Sequence, residues 1–446
     1  QRIYGAFAAT RTGMTAGPGM GRAQGIEGHL MNVMKSYLAG ATALAGIMAV
    51  SPAFAQDLPS REELWKMIQQ QQAQIEALQQ KIDVTEKKVQ ETDKKVEATG
   101  SEVERIASSG GGSGGDGWWQ RTSVGGYGEV HYNGGDTDEV DIHRFVLFIN
   151  HEFNDKVRFF SELEVEHGVA GEGQNGEVEV EQAFVEVDVA EHHSVTAGLQ
   201  LVPVGILNIT HEPPTFYGVE RNNVEVNIIP TTWWEAGVGA HGELGSGFAY
   251  SAFVHSGLRV PTTGANAFRI RSGRQKVSEA KAKDGAVTTQ LTYSGIPGVQ
   301  FGVTGQYQSD LTQGEGEKTS ATLFEAHVDS NFAFGPGSIG FRALAARWDL
   351  DSNAAEAIGR DEQYGWYIEP SYRFPVWYGD LGFFARYSEW DNSAGGGADS
   401  KFSQTQIGAN YWPVEDVVFK LDYQFDDAPV GGTEDDRLNV GVGFQF

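Results

Sequence analysis

The side chains able to do chemistry in this chain are charged, and their spacing suits electrostatic selection better than covalent catalysis. In Val157–Glu166, the charges Arg158, Glu162, Glu164 and Glu166 alternate with Val157, Phe159, Leu163 and Val165. In Val417–Asp426, Lys420, Asp422, Gln424 and Asp426 alternate with Val417, Phe419, Leu421, Tyr423 and Phe425. Arg144, Arg373, Arg386 and Glu186 fall at similar positions in other stretches. A second set, His211, Glu212, Glu220, Arg221 and Glu225, sits in a long segment between two such stretches. Arginine facing carboxylates across a watery space sets up a transverse field, which filters polar solutes by size and orientation.

Other chemistry finds little support. The chain has no Cys, so it has no disulfides, thiolate nucleophiles or thiolate metal sites. Gly237–Val–Gly239–Ala–His–Gly242 matches G-x-G-x-x-G, but no helical pattern follows it. Asp349–Leu–Asp351–Ser–Asn353 opens like a calcium loop, then puts Ala354 where Gly is needed and Arg360 where Glu is needed. His192–His193 lies in an expected turn without nearby ligands, and no Ser/His/Asp set can be assembled. No enzyme activity, cofactor or metal is expected.

The elements that position the charges follow from periodicity. Side chains alternate across a strand, so a strict period of two gives one apolar and one polar face. The terminal stretch Arg437–Phe446 is the clearest case, with Leu438, Val440, Val442, Phe444 and Phe446 on one face. A soluble protein rarely ends on an apolar strand tipped by an aromatic. A barrel whose greasy face meets lipid can, because closure removes the free edge. Sixteen such stretches are expected, at 122–133, 139–150, 155–166, 178–189, 193–202, 232–242, 247–256, 286–294, 299–310, 320–332, 337–350, 362–374, 378–391, 400–413, 416–427 and 436–446. The expected fold is all-β, a 16-stranded antiparallel transmembrane β-barrel preceded by a helical coiled coil. Sixteen strands enclose an aqueous channel. The aromatic pairs Trp118–Trp119, Trp233–Trp234, Trp377–Tyr378 and Tyr411–Trp412 would mark the membrane interfaces.

Composition agrees. The 446 residues include 58 Gly and no uninterrupted apolar run long enough for a membrane-spanning helix. A net charge of −27 argues against nucleic acid as a partner.

The N-terminal quarter reads as separate segments. Residues 1–30 show no periodicity and read as a non-native or untranslated upstream segment. Lys35, the apolar stretch 37–50 and Ala53–Phe54–Ala55 form a signal peptide over 31–55. Residues 58–107 form a coiled coil, with Ile68, Ile75, Ile82, Val89, Val96 and Val103 recurring every seven residues. Residues 108–117 are a Gly/Ser linker, and 118–446 the barrel domain.

The segment Pro203–Thr231 is long, yet rich in Val, Ile, Phe and Tyr, so it is expected to fold inward and form the constriction. The order of coiled coil, sixteen strands, inward loop and terminal Phe446 resembles the trimeric general porins of Gram-negative outer membranes. The N-terminal helix and the stretch Gly–Leu–Gln–Leu–Val–Pro–Val–Gly at 198–205 are similar to the phosphate-selective porin O and P family. The resemblance implies passive diffusion of small hydrophilic solutes or ions, anions such as phosphate among them. It also implies a homotrimer in outer-membrane lipid, Phe446 as a signal to the barrel assembly machinery, and a periplasmic coiled coil that can reach peptidoglycan. That family lines its lumen with arginines and its constriction with lysines. Here the inward loop holds Arg221 and no Lys, among acids, which leaves a mixed or cation-leaning pore open. The alternative is an envelope tether or adhesin in which the coiled coil is the functional part.

Overall fold

The computed structural model describes residues 65, 72, 117–135 and 138–446. Trp65 and Gln72 are helical and exposed. The expected upstream segment and signal peptide, the linker apart from Gly117, and the rest of the expected coiled coil lie outside the described residues.

A short 3₁₀ turn, Trp118–Arg121, leads into sixteen strands. They are β1 Thr122–Gly134, β2 Glu139–Asn154, β3 Val157–Glu166, β4 Val178–Ala190, β5 His193–Leu201, β6 Trp234–Gly245, β7 Phe248–His255 and β8 Ala286–Ile296. They continue as β9 Val299–Gln308, β10 Ser320–Phe334, β11 Gly337–Asp351, β12 Glu362–Pro375, β13 Asp380–Asp391, β14 Phe402–Val414, β15 Val417–Asp427 and β16 Arg437–Gln445. Each pairs antiparallel with its neighbours, and β1 pairs with β16, so the barrel is closed. Every strand lies within a few residues of its expected span. Tight turns join strands at one rim and longer loops at the other, the pattern expected of a transmembrane barrel.

Alternation sorts the two faces. On β15, Phe419, Leu421, Tyr423 and Phe425 point outward and are exposed, while Lys420, Asp422 and Gln424 are buried inside. Aromatic rings meet near the turn rim, Phe248 with Tyr293 at 4.7 Å and Tyr372 with Phe374 at 5.5 Å. Trp118, Trp119, Trp377 and Tyr378 are exposed, as interfacial residues should be. Trp233, Trp234 and Trp412 are not part of a girdle: all three are buried. Trp233 lies inside the barrel against Trp348, ring centroids 6.3 Å apart. Trp412 donates from Nε1 to the Pro214 carbonyl at 3.2 Å. A pattern of aromatic pairs near strand ends does not tell which face the ring takes.

The terminal residue completes the seam. Phe446 N donates to Gly126 O at 2.9 Å, and Gly126 N to Phe446 O at 3.0 Å. A Cβ on Gly126 would come within 2.2 Å of the Val146 carbonyl oxygen on β2. Gly126→Ala should therefore lower the yield of folded barrel, measured as the heat-modifiable band on an unboiled gel. A normal yield would show that the seam tolerates the shift.

An apolar core lies inside this barrel. The β5–β6 loop (202–233) and the β7–β8 loop (256–285) fold inward and bury Val204, Leu207, Ile228, Leu258, Phe268 and Ile270 against Leu323, Leu344, Trp348 and Trp390 on the wall. Burying this much apolar surface fixes both loops in the lumen. The second loop was not singled out by the sequence, whose apolar signal is stronger in the first.

Candidate functional site

The β5–β6 loop divides the lumen. Glu220 and Arg221 line a cavity of about 520 Å³ toward the loop rim. Pro214, Thr215, Phe216 and Tyr217 line a smaller one of about 130 Å³ toward the turn rim. Residues 214–221 thus form the partition between two chambers.

Wall residues hold this partition by its backbone. Arg144 Nη2 donates to His211 O at 2.7 Å, Arg386 Nη2 to Tyr217 O at 2.6 Å, and Lys420 Nζ to Gly218 O at 2.9 Å. Arg342 and Asn410 add bonds to Thr215 O and Phe216 O, and Asp422 accepts from Val219 N at 2.6 Å. The same cations are balanced by wall acids: Arg144 by Glu129 at 2.6 Å and Arg386 by Glu369 at 2.7 Å. Three residues expected to line the lumen, Arg144, Arg386 and Lys420, are therefore buried clamps on the loop. Sequence spacing places them on the inner face; only the loop's landing site shows what they bind.

The remaining expected residues divide by contact. Arg158 pairs with Glu186 at 2.8 Å and also with Asp188. Arg373 pairs with Asp380 at 2.8 Å over the Trp412 ring. Both sit near the turn rim. Glu162 and Glu164 are buried on the wall beneath the loop. Glu212 starts the short 3₁₀ turn Pro213–Thr215, its carbonyl accepting from Thr215 N at 2.9 Å.

Glu225 is an internal strut. Its Oε1 accepts from Ile206 N and Leu207 N, both at 2.7 Å, and its Oε2 from Tyr367 OH at 2.9 Å and Asn222 Nδ2 at 3.2 Å. Burial raises its pKa despite these bonds. Glu220 is engaged differently, accepting from Asn133 Nδ2 at 2.9 Å and lying 3.1 Å from His131 Nδ1. Burial works against its charge, but His131, His143 and Asn133 hold the carboxyl well below its usual range.

Arg221 does not act alone. With Arg271 and Arg274 of the β7–β8 loop it lines the larger chamber. The three are held by uncharged oxygens. Arg221 Nη1 donates to Thr232 Oγ1 at 2.9 Å, Arg271 Nη1 to Val226 O at 2.7 Å and Thr231 O at 3.1 Å, and Arg274 Nη1 to Thr232 O at 2.6 Å. Among the described residues none of the three has a carboxylate within ion-pair distance. Burial, then repulsion from Arg274, Arg221 and Arg269, pushes Arg271 down to about 9. Arg274 is lowered for the same two reasons. Guanidinium stays charged in proteins, so this crowding is positive charge in want of a counter-ion. Carboxylates of Glu166, Glu179 and Asp426 face it from the walls. Reading the sequence missed Arg271 and Arg274. One signal could have found them: residues 256–285 carry seven basic and two acidic side chains in a strongly acidic chain.

Comparison with known proteins assigns the barrel domain to a family. Residues 121–428 match the family described as phosphate-selective porin O and P. An uncharacterized protein of Aquifex aeolicus is 30% identical over 339 residues, covering 68% of this chain and 76% of its own length. Solved structures similar to this chain include the outer membrane channel DcaP of Acinetobacter baumannii, at TM-score 0.49 and 14% identity, covering 73% of this chain and 97% of that one. A loop-deletion form of OmpT, an outer membrane protein of Vibrio cholerae, scores 0.49 at 12% identity, covering 73% and 99%. With a closed sixteen-stranded barrel, a lumen divided by an inward loop and a family match across nearly all its strands, the chain belongs to the phosphate-selective porin O and P family, as a porin of the Gram-negative outer membrane for passive diffusion of small hydrophilic solutes.

Proposed function

We propose that this porin favours small anions, phosphate among them, and selects them at Arg221, Arg271 and Arg274. The observation that carries this is a trio of guanidinium groups facing the larger chamber, held by neutral oxygens with no carboxylate in contact among the described residues. Guanidinium presents a planar fork of donors that matches phosphate. An anion passing the partition would relieve the mutual repulsion of the three. The wall carboxylates opposite would keep its stay short, as conduction requires. The work is diffusion through a field, with no catalytic step.

The experiment is a bilayer recording in a potassium phosphate or chloride gradient. An anion-selective reversal potential is expected, with chloride conductance falling as phosphate is added. A cation-selective potential would overturn the assignment of the arginines while leaving a porin. No conductance would favour a tether.

The assembly follows the same reading. The protein forms a homotrimer, and its terminal strand, ending in Phe446, is recognised by the barrel assembly machinery. Residues 1–30 lie upstream of a signal peptide at 31–55, and 58–107 form a periplasmic coiled coil, joined to the barrel by 108–117, that reaches peptidoglycan. Removing 58–107 should leave the conductance per pore unchanged while weakening the trimer, as read by chemical crosslinking, and reducing co-sedimentation with cell wall. Crosslinking and sedimentation equal to those of the intact chain would remove both roles from the helix.

A further inference from the structure

The wall beneath the β5–β6 loop gathers buried carboxyl groups around one imidazole. Glu162 on β3 and Glu181 on β4 are at most 1% exposed, as is Glu164, two residues further along β3. The guanidinium of Arg144 is already committed to Glu129 and to the His211 carbonyl. His211, 3% exposed, brings its Nε2 to 3.6 Å from Glu162 Oε1 and 3.7 Å from Glu181 Oε2, beyond hydrogen-bond reach. Both ring nitrogens of His211, both carboxylate oxygens of Glu181 and Oε1 of Glu164 are buried without a hydrogen-bond partner. Orphaned buried polar atoms are rare, and a set of them converging from three elements calls for a missing partner.

We propose that Glu162, Glu181 and His211 bind a first-row divalent transition metal ion of the Zn²⁺ class, which pins the constriction loop to the barrel wall. One donor atom from each of the three lies within 4.8 Å of the others. Zn²⁺ takes imidazole nitrogen and carboxylate oxygen at about 2.0–2.2 Å, so a small inward movement of each donor completes the contacts. Two carboxylates and an imidazole suit such an ion better than Cu(I), which prefers sulfur. The ion would also place a divalent positive charge between the two carboxylates. Glu162 is oriented for the task by Tyr127 OH at 3.0 Å and Gln182 Nε2 at 2.6 Å. Glu181 borders the larger chamber, which gives the ion a way in. A second group of donors, His131, His143 and Glu220, is less apt, since His131 and Glu220 already satisfy each other at 3.1 Å.

The full chain, purified in detergent and stripped with EDTA, is titrated with Zn²⁺ and the bound metal counted by mass spectrometry. Saturable uptake of a single ion per chain is expected, with slower proteolysis inside 203–231 when Zn²⁺ is present. Co²⁺ in its place should give visible d–d absorption. His211→Ala and Glu181→Gln should each weaken binding by at least about 100-fold, and His143→Ala should not. Protection of the wild-type loop by Zn²⁺ needs no variant, so the test stands even where a variant folds poorly. Absence of saturable uptake, or uptake lost with His143→Ala and kept with His211→Ala, overturns the site. The trio is then an imidazolium between two carboxylates.

Discussion

Replacing Arg271 and Arg274 together by glutamine should cut the anion-to-cation permeability ratio by roughly thirtyfold. Each guanidinium acting on an ion about 8 Å away, at an effective dielectric of about 40, contributes about 1 kcal/mol. Two of them give about 2 kcal/mol, at 1.4 kcal/mol per tenfold. The reversal potential in a salt gradient should move toward the cation side, and Arg221→Gln should move it further. The shift should shrink at 1 M salt, where screening falls to about 3 Å, and grow at 0.01 M. The double lysine variant keeps the charge and loses the fork, so it should retain anion preference while losing discrimination between phosphate and chloride. An unchanged reversal potential in the double glutamine variant would mean that selection lies elsewhere in the lumen.

Glu225→Ala should loosen the constriction without unfolding the barrel. The side chain accepts from two backbone N–H groups, a tyrosine hydroxyl and an asparagine amide, all within the buried interior. Each buried donor left without an acceptor costs about 1–3 kcal/mol, so the loop loses at least about 4 kcal/mol. None of this touches the strand ladder, whose hydrogen bonds carry the barrel. The expected result is a larger and noisier single-channel conductance, by about twofold, with faster proteolysis inside 203–231 and little change in thermal unfolding. Glu225→Gln keeps one acceptor oxygen and should fall between. Wild-type conductance and proteolysis in the alanine variant would show that the apolar core alone holds the loop.

The division between the two loops shows how far the sequence reaches. Pro203–Thr231 can be recognised as an inward loop because so many apolar residues in one long connection cannot rest in water. Within it, Glu225 reads as a candidate for selection. The structure makes it a strut, because its partners Ile206, Leu207 and Tyr367 are brought to it by the fold. Arg144, Arg386 and Lys420 likewise read as lumen charges and prove to be clamps, each satisfied by a loop carbonyl. Arg271 and Arg274 lie in a connection with no strand periodicity to give them a direction.

By itself the sequence determined the barrel. A period of two is a local property, so Phe419, Leu421, Tyr423 and Phe425 had to share one face and Lys420, Asp422 and Gln424 the other. Sixteen repetitions of that rule leave closure as the only arrangement without an edge in lipid. The tertiary structure alone decided which charges are spent and which are free. Arg221 from one loop meets Arg271 and Arg274 from another, and His211 from the loop meets Glu162 and Glu181 from the wall. These meetings depend on where two long connections come to rest. That is set by burial of Trp233, Ile228, Phe268 and Trp348 across the lumen, contacts between residues far apart in the chain that no local pattern encodes.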